Sequence, residues 1–329
     1  MPSISVITPS LNQCGYIEKT LRSVLSQDIP DLEYVVVDGG STDKTLEILN
    51  RFTPELRWIS EGDRGQADAV NKGIRATNGE IIGWLNSDDI YYPGALGKVA
   101  ALFERHPHMD VMYGDAWYIG ADDEIITPYA TEPWNPERLK GTCYLCQPAV
   151  FFRRRVVERF GFLDVRLGYC MDYEFWLRLS EGGARFLYVP EMLAGSRLHP
   201  SAKSLAVRMK AIQETNRMLL RKFGHVPDQW LLSYARIWLN RRGVRRAEGG
   251  RLDSPVGHCS GPSSRVRVLG TITMAPVLAL GAILISLLAS LWWNRGISRS
   301  MFPTLGSWIR GYSLSSQQKR ISSRWDSSA

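Results

Sequence analysis

Two adjacent aspartates, Asp88 and Asp89, are the residues whose type and spacing most suggest chemistry. They follow an apolar run at residues 81–85, in a segment that reads EIIGWLNSDDIYYP. The run predicts one buried strand of a parallel sheet. Paired carboxylates at such a strand end repel each other and lose solvation, which a bound cation would offset. The pair therefore indicates a hard divalent metal, Mg2+ or Mn2+, although a solvated acidic turn has the same local sequence.

Strands and helices alternate through the first hundred residues. The chain predicts strands at 3–8, 33–37, 58–59 and 80–85, with helices between them. This order predicts βαβ units and a mainly parallel sheet, an α/β fold in which ligands bind at the carboxyl ends of the strands. Three ends would meet in one acidic crevice the size of a nucleotide. They carry Thr8 with Pro9, Asp38, and Asp88 with Asp89.

The pattern changes after residue 110. Short strands at 111–113 and 116–119 predict an α+β half, extending to residue 205, that would hold a second substrate. Asp172 begins a helix there, where a carboxylate can act in catalysis or simply cap the helix. Arg197 and His199 follow in a polar loop. Residues 1–110 are expected to form the nucleotide-binding half, and residues 111–205 the half that holds the second substrate.

The positive charge of the chain lies at its carboxyl end. Residues 1–239 carry 27 Lys or Arg against 30 Asp or Glu, whereas residues 240–329 carry 13 against 3. A basic end suits anionic lipid, and the sequence has no recognisable nucleic-acid-binding module, so we expect no nucleic-acid partner. Residues 206–267 are predicted to be a helical and basic linker, and residues 295–329 a basic tail.

Residues 268–294 contain no charged side chain. As a helix they would extend about 40 Å, against a hydrocarbon core of about 30 Å. They predict a transmembrane or membrane-associated helix, and arginines on both flanks leave open whether it spans or lies on the membrane. The start of the chain has no secretory leader, and five cysteines lack a disulfide framework. We expect a cytoplasmic catalytic domain attached to the inner face of the cell membrane.

Five segments, in this order and spacing, carry a resemblance to a known family. They read VITPSLNQCGYIEKTLRSVLSQ, VVVDGGSTDKT, GQADAVNKGI, GEIIGWLNSDD and MDYEFWLRL. Together they resemble glycosyltransferase family 2, most closely the bacterial enzymes that build polysaccharide. The resemblance implies a GT-A type, Rossmann-like sheet with an α+β acceptor half. It also implies inverting transfer from a nucleotide-sugar donor to a glycan or lipid-linked acceptor.

The same resemblance implies roles for individual residues. The direct metal ligand would be Asp89, with His199 as a metal or diphosphate ligand from the far side of the sheet. Asp38 would hydrogen-bond the base, and Asp88 would hold ribose or a metal-bound water. The full nucleotide-sugar set implied is Thr8, Pro9, Asp38, Arg64 and Asp88.

Asp172 matches the aspartate that the family uses as catalytic base, but Met171 stands where the family often has Glu. A QxxRW motif is absent, which favours addition of one sugar per encounter. Two other functions remain possible at this point. One is an inactive, membrane-bound protein that binds nucleotide sugar, which release of nucleotide in the presence of acceptor would exclude. The other is a sugar-1-phosphate nucleotidyltransferase, which would need a basic, glycine-rich loop after the first strand.

Overall fold

A mixed α/β sheet organises the protein, whose computed structural model describes residues 1–199 and 207–241. In chain order the strands of this part are β1 (Ile4–Ser10), β2 (Glu33–Asp38), β3 (Arg57–Ser60), β4 (Ile81–Trp84), β5 (Ile90–Tyr91), β6 (Val111–Ile119), β7 (Ile125–Pro128), β8 (Val150–Arg153) and β9 (Phe186–Arg197). The helices are α1 (Ile17–Leu25), α2 (Thr45–Arg51), α3 (Gln66–Arg75), α4 (Ala95–Arg105), α5 (Pro136–Gly141), α6 (Arg155–Phe160), α7 (Met171–Glu181), α8 (Arg208–Phe223) and α9 (Asp228–Arg241).

The strand order is β3-β2-β1-β4-β8-β6-β9-β5, and β7 pairs with β6. The first four strands are parallel, as the alternation of strands and helices predicts. The remainder is mixed, since β6 and β9 are parallel whereas β8 is antiparallel to both β4 and β6. The reason is that β8 begins beside the end of β4, where Gln147 Nε2 donates to the carbonyl of Trp84 at 2.6 Å. A strand that starts where its neighbour ends must return in the opposite direction.

Apolar side chains alternate to the two faces of the sheet, and each face has its own core. On one face, Val6 and Val36 pack with α1 and α4. On the other, Ile7 and Val35 pack with α3 and α7. Burial on both faces explains why the strands read as nearly continuous apolar runs.

One strand replaces the two predicted at 111–113 and 116–119. β6 continues through residues 114 and 115, where its register with β9 is irregular. Gly114 allows this close pairing, since a Cβ there would lie 2.6 Å from the carbonyl oxygen of Glu191. The glycine between the two predicted strands thus marks a close approach of two backbones within one strand.

Within residues 1–199 and 207–241, no helix has the length and apolar character needed to cross a membrane. Helices α8 and α9 occupy the first part of the predicted linker. The predicted membrane segment at 268–294 and the basic tail at 295–329 lie outside the described residues.

Candidate functional site

The carboxyl ends of the parallel strands lie side by side, as expected. Ser10 of β1 is level with Asp38 of β2, which is level with Ser60 of β3. On the other side of β1, Ile7 is level with Trp84, so β4 also ends at this edge. The loop carrying Asp88 and Asp89 therefore leaves the sheet at the same edge as Asp38.

Asn86 holds the loop after β4 in shape. Its Nδ2 donates to Asp89 Oδ2 at 3.1 Å and to Gln147 Oε1 at 2.8 Å. Its Oδ1 accepts from Gln66 Nε2 at 2.6 Å and from Trp84 Nε1 at 2.9 Å. Because every polar position of the Asn86 amide is used, the loop is tied at once to β4, α3 and the segment before β8.

Asp89 is almost fully buried, with 3% of its surface exposed. Its Oδ1 accepts from the backbone N–H of Arg197 at 2.8 Å. Burial raises the pKa of the Asp89 carboxyl well above its usual range, and the neighbouring charge of Asp88 raises it further, while the bonds from Arg197 and Asn86 oppose the shift. A proton or a cation is therefore favoured at this carboxylate.

Asp88 pairs with His199, although the two residues are 111 positions apart in the sequence. His199 Nε2 lies 3.1 Å from Asp88 Oδ2, and the imidazole packs on the ring of Tyr16 with centroids 4.3 Å apart. His199 Nδ1 is buried without a hydrogen-bond partner among the described residues. Two carboxylates and an imidazole form a donor set that suits Mn2+. By donor type these residues are compatible with a divalent ion, and the part of the chain described contains no ready-made cluster of three or more acidic, His or Cys ligands.

Arg197 joins several parts of the site, a role that the sequence did not predict. Its Nε donates to the carbonyl of Asp88 at 2.6 Å, and its Nη1 donates to the carbonyl of Gly120 at 2.7 Å. Its Nη2 lies 2.5 Å from Asp123 Oδ1, and its side chain is fully buried. One guanidinium therefore joins the loop that carries Asp88 and Asp89 to the turn between β6 and β7.

Asp38 is fully buried, and hydrogen bonds from the protein surround its carboxylate. Oδ2 accepts from the N–H groups of Gly40 at 3.0 Å and Ser41 at 2.8 Å, and from Ser60 Oγ at 2.8 Å. Oδ1 accepts from Ser41 Oγ in a very short bond. In this structure Asp38 shapes the turn after β2. Its direct contact with a base stays a prediction.

The remaining nucleotide-sugar residues differ in accessibility. Thr8 is buried and its hydroxyl shares a 3.1 Å hydrogen bond with the hydroxyl of Tyr34. Pro9 is also buried, within β1. Arg64 is exposed beside the strand ends, where its Nη2 donates to Asp68 Oδ1 at 3.0 Å. Of these residues, Arg64 has a side chain free to reorient toward a ligand in solvent.

Asp172 lies at the start of α7, and its charge acts on two buried cysteine thiols. Burial raises the pKa of the Cys146 thiol well above its ordinary value, and the charges of both Asp89 and Asp172 contribute to the rise. Asp172 likewise contributes to the raised pKa of Cys143, where burial is again the largest cause. Cys146 thus lies within electrostatic reach of both carboxylates.

Sequence reasoning missed Asn86, Gln147 and Arg197 as parts of the site. Asn86 belongs to the LNSDD segment, so its position beside the aspartates was a usable signal. Arg197 lies two residues before His199 and gave a similar signal. Gln147 had none, because only the return of β8 beside β4 brings it to the loop.

The chain is similar in sequence and fold to known proteins. Residues 5–161 match the family described as Glycosyl transferase family 2. A PGL/p-HBAD biosynthesis glycosyltransferase of Mycobacterium bovis is 32% identical over 200 residues, which covers 57% of this chain and 75% of the relative.

Solved structures show the same fold. TarS of S. aureus, in complex with UDP-GlcNAc, aligns with a TM-score of 0.56 and 19% identity over 72% of this chain and 73% of TarS. The mannosyltransferase PcManGT of Pyrobaculum calidifontis, in complex with GDP-Man and Mn2+, aligns with a TM-score of 0.55 and 20% identity over 87% and 81%. The family match and the mycobacterial relative together confirm the prediction from the five motifs: the chain belongs to glycosyltransferase family 2 and is a glycosyltransferase.

Proposed function

We propose that this enzyme transfers a sugar from a nucleotide-diphosphate sugar to a hydroxyl of a glycan or lipid-linked glycan, with inversion at the anomeric carbon. One observation carries the proposal. The carboxyl ends of the parallel strands bring Asp38 to the same edge of the sheet as the loop with Asp88 and Asp89, and His199 Nε2 lies 3.1 Å from Asp88 Oδ2. This edge of the sheet supports a nucleotide and a divalent ion as ligands.

The strand-end crevice would bind the donor. The fold it shares with TarS and PcManGT, which were solved with UDP-GlcNAc and with GDP-Man and Mn2+, supports a nucleotide sugar as ligand. Asp88, Asp89 and His199 would hold the divalent ion, Mg2+ or Mn2+, beside the diphosphate. The ion would supply positive charge that stabilises the departing diphosphate.

Asp172 would accept the proton of the attacking hydroxyl. The helix dipole at the amino terminus of α7 favours a carboxylate, and Asp172 Oδ1 accepts from the N–H of Tyr173 at 2.7 Å. Removal of the proton makes the acceptor oxygen a better nucleophile, which attacks the anomeric carbon opposite the leaving nucleotide. A single displacement of this kind inverts the configuration.

The acceptor and the location have their own supporting observations. The mycobacterial relative is named for PGL/p-HBAD biosynthesis. The uncharged segment at 268–294 would attach the catalytic domain to the inner face of the cell membrane, beside a lipid-linked acceptor. Loss of membrane sedimentation on deleting residues 265–329 is the expected behaviour of such an anchor.

The test combines donor binding with turnover. We expect UDP-GlcNAc or GDP-mannose to raise the melting temperature in Mn2+ and not in chelator. Asp172→Asn should keep that rise but lose about 100 to 10,000-fold in the rate of nucleotide release, the usual contribution of a positioned base. Asp228→Asn is the matched control, since Asp228 is an exposed aspartate in the first turn of α9. Wild-type turnover in Asp172→Asn would show that Asp172 is not the base.

A further inference from the structure

A carboxylate from α8 closes the amino terminus of the helix that carries Asp172. Glu214 Oε1 accepts from the N–H groups of Tyr169 at 2.7 Å and Cys170 at 3.0 Å. Its Oε2 accepts from the N–H of Gly168 at 2.9 Å. Three successive backbone donors therefore point at one side chain that is remote in sequence.

These bonds fix the backbone that leads into α7. The three donors belong to residues 168–170, which precede the first helical residue, Met171. Cys170 occupies the N-cap position and makes no side-chain cap bond. Glu214 therefore holds the N-cap residue from outside the helix, and it lies beyond the residues that match the family, 5–161.

Glu214 and Asp172 act on the same thiol. Burial is the largest cause of the raised pKa of Cys170, and the charges of Glu214 and Asp172 add to it. Asp172 follows Cys170, the last of the three residues held by Glu214, by two positions. A shift of this backbone segment would therefore move Asp172.

We propose that Glu214 is a positioning residue for Asp172, holding the backbone of residues 168–170 immediately before α7 so that the Asp172 carboxylate faces the acceptor hydroxyl. The proposal rests on the proposed role of Asp172. Glu214 does not itself touch substrate. It acts by fixing the backbone, and its negative charge makes Asp172 a stronger base.

The effect of the Glu214 charge can be distinguished from the effects of other titratable groups near Asp172. Four side chains have a raised pKa to which the charge of Asp172 contributes, and all four are neutral at pH 7; they are Tyr129, Cys143, Cys146 and Cys170. Charged groups on the helices packed against α7 have their own partners. Lys140 of α5 pairs with Glu137 at 2.7 Å, and Lys222 of α8 pairs with Glu181 at 2.6 Å.

Glu181 provides a matched control. It lies at the carboxyl end of α7 and also contacts α8, through Lys222. Glu181→Gln removes one carboxylate charge from the same pair of helices, far from Asp172. Glu214→Gln removes the charge at the capped end, and its amide cannot accept all three N–H bonds.

Nucleotide release is measured with whichever of UDP-GlcNAc and GDP-mannose the melting test selects. We expect Glu214→Gln to lower kcat about tenfold or more while the donor-induced melting shift is unchanged. Loss of a negative charge near Asp172 should also move the acidic limb of the pH profile to lower pH. Glu181→Gln should change neither quantity. Wild-type kcat and an unshifted limb in folded Glu214→Gln would overturn the proposal.

A double variant tests whether Glu214 acts through Asp172. Added to Asp172→Asn, Glu214→Gln should cause little further loss, because the base is already gone. An undiminished tenfold loss in that background would overturn the proposal and leave the role of Asp172 intact. Conversely, wild-type turnover in Asp172→Asn alone would refute the proposed function. If Glu214→Gln does not fold, Glu214→Asp keeps the charge with a shorter reach. It should lower kcat without moving the acidic limb, and wild-type kcat would contradict the proposal.

Discussion

Replacement of Asp38 by Asn tests whether this residue shapes the site or contacts the nucleotide. The carboxylate is fully buried and accepts from Gly40, Ser41 and Ser60. Asn is nearly isosteric, and its carbonyl oxygen can keep the three bonds made by Oδ2. Its amide group would replace Oδ1 beside the Ser41 hydroxyl, which can rotate to accept.

The magnitude follows from the hydrogen bonds that change. Bonds to a charged acceptor stabilise by about 1.5–3 kcal/mol each, against about 0.5–1.5 kcal/mol for neutral pairs. Four bonds each lose about 1 kcal/mol with the charge, and because losses at one shared group add incompletely, we expect Asp38→Asn to cost about 2–4 kcal/mol. Asp38→Ala leaves buried donors unpaired and should cost about twice as much. For a chain of this size, the Asn variant should melt about 5–10 °C lower.

The assay compares urea unfolding with nucleotide binding in the folded variant. Asp63→Asn is the control, because Asp63 lies over Gly39 at the same turn and accepts a bond from Gly65 N at 2.8 Å. We expect Asp38→Asn to be clearly less stable than Asp63→Asn, yet to bind UDP or GDP within about threefold of wild type when folded. Unchanged stability together with a binding loss of tenfold or more would refute the structural role and favour direct contact with the base.

Two further predictions concern pH and a buried charge. Burial alone would raise the pKa of Asp43, but hydrogen bonds from Thr45 and Cys14 lower it to about 2. Asp43 therefore stabilises the fold above about pH 4, and this stabilisation is lost as the pH falls toward 2; acid titration of Asp43→Asn should show a smaller loss than wild type. Arg197→Met should cost about 3–5 kcal/mol in urea unfolding, because it removes a fully buried guanidinium that donates to the Asp88 and Gly120 carbonyls and pairs with Asp123. The control, Arg166→Met, removes a mostly exposed arginine and should cost less than about 1 kcal/mol, and equal costs would contradict the reasoning.

Local patterns were sufficient for the first half of the fold. The apolar runs and the turns after them predicted β1, β2, β3 and β4, because each parallel strand is buried on both faces and is followed by a helix. Their shared edge followed from the handedness of βαβ units, which places successive strand ends together. The grouping of Asp38 with Asp88 and Asp89 could therefore be derived before any coordinates.

Local patterns failed where one segment pairs with a distant one. The direction of β8 depends on its starting point beside β4, and nothing in the sequence VFFR encodes that direction. The continuous β6 depends on Glu191 and Leu193 packing over Gly114. Strand direction and register are properties of the pair, so they cannot be derived from either strand alone.

The sequence by itself determined the class of protein, the acidic strand end and the identity of the candidate base, because these depend on residue types at short, characteristic spacings. Only the tertiary structure decided which groups serve these residues. It placed His199 beside Asp88, buried Arg197 beneath the aspartate loop, saturated Asp38 with protein donors and set Glu214 on the turn before Asp172. The physical reason is that a hydrogen bond or a charge interaction acts over a few ångströms in space. The separation of its partners along the chain has no bearing on it.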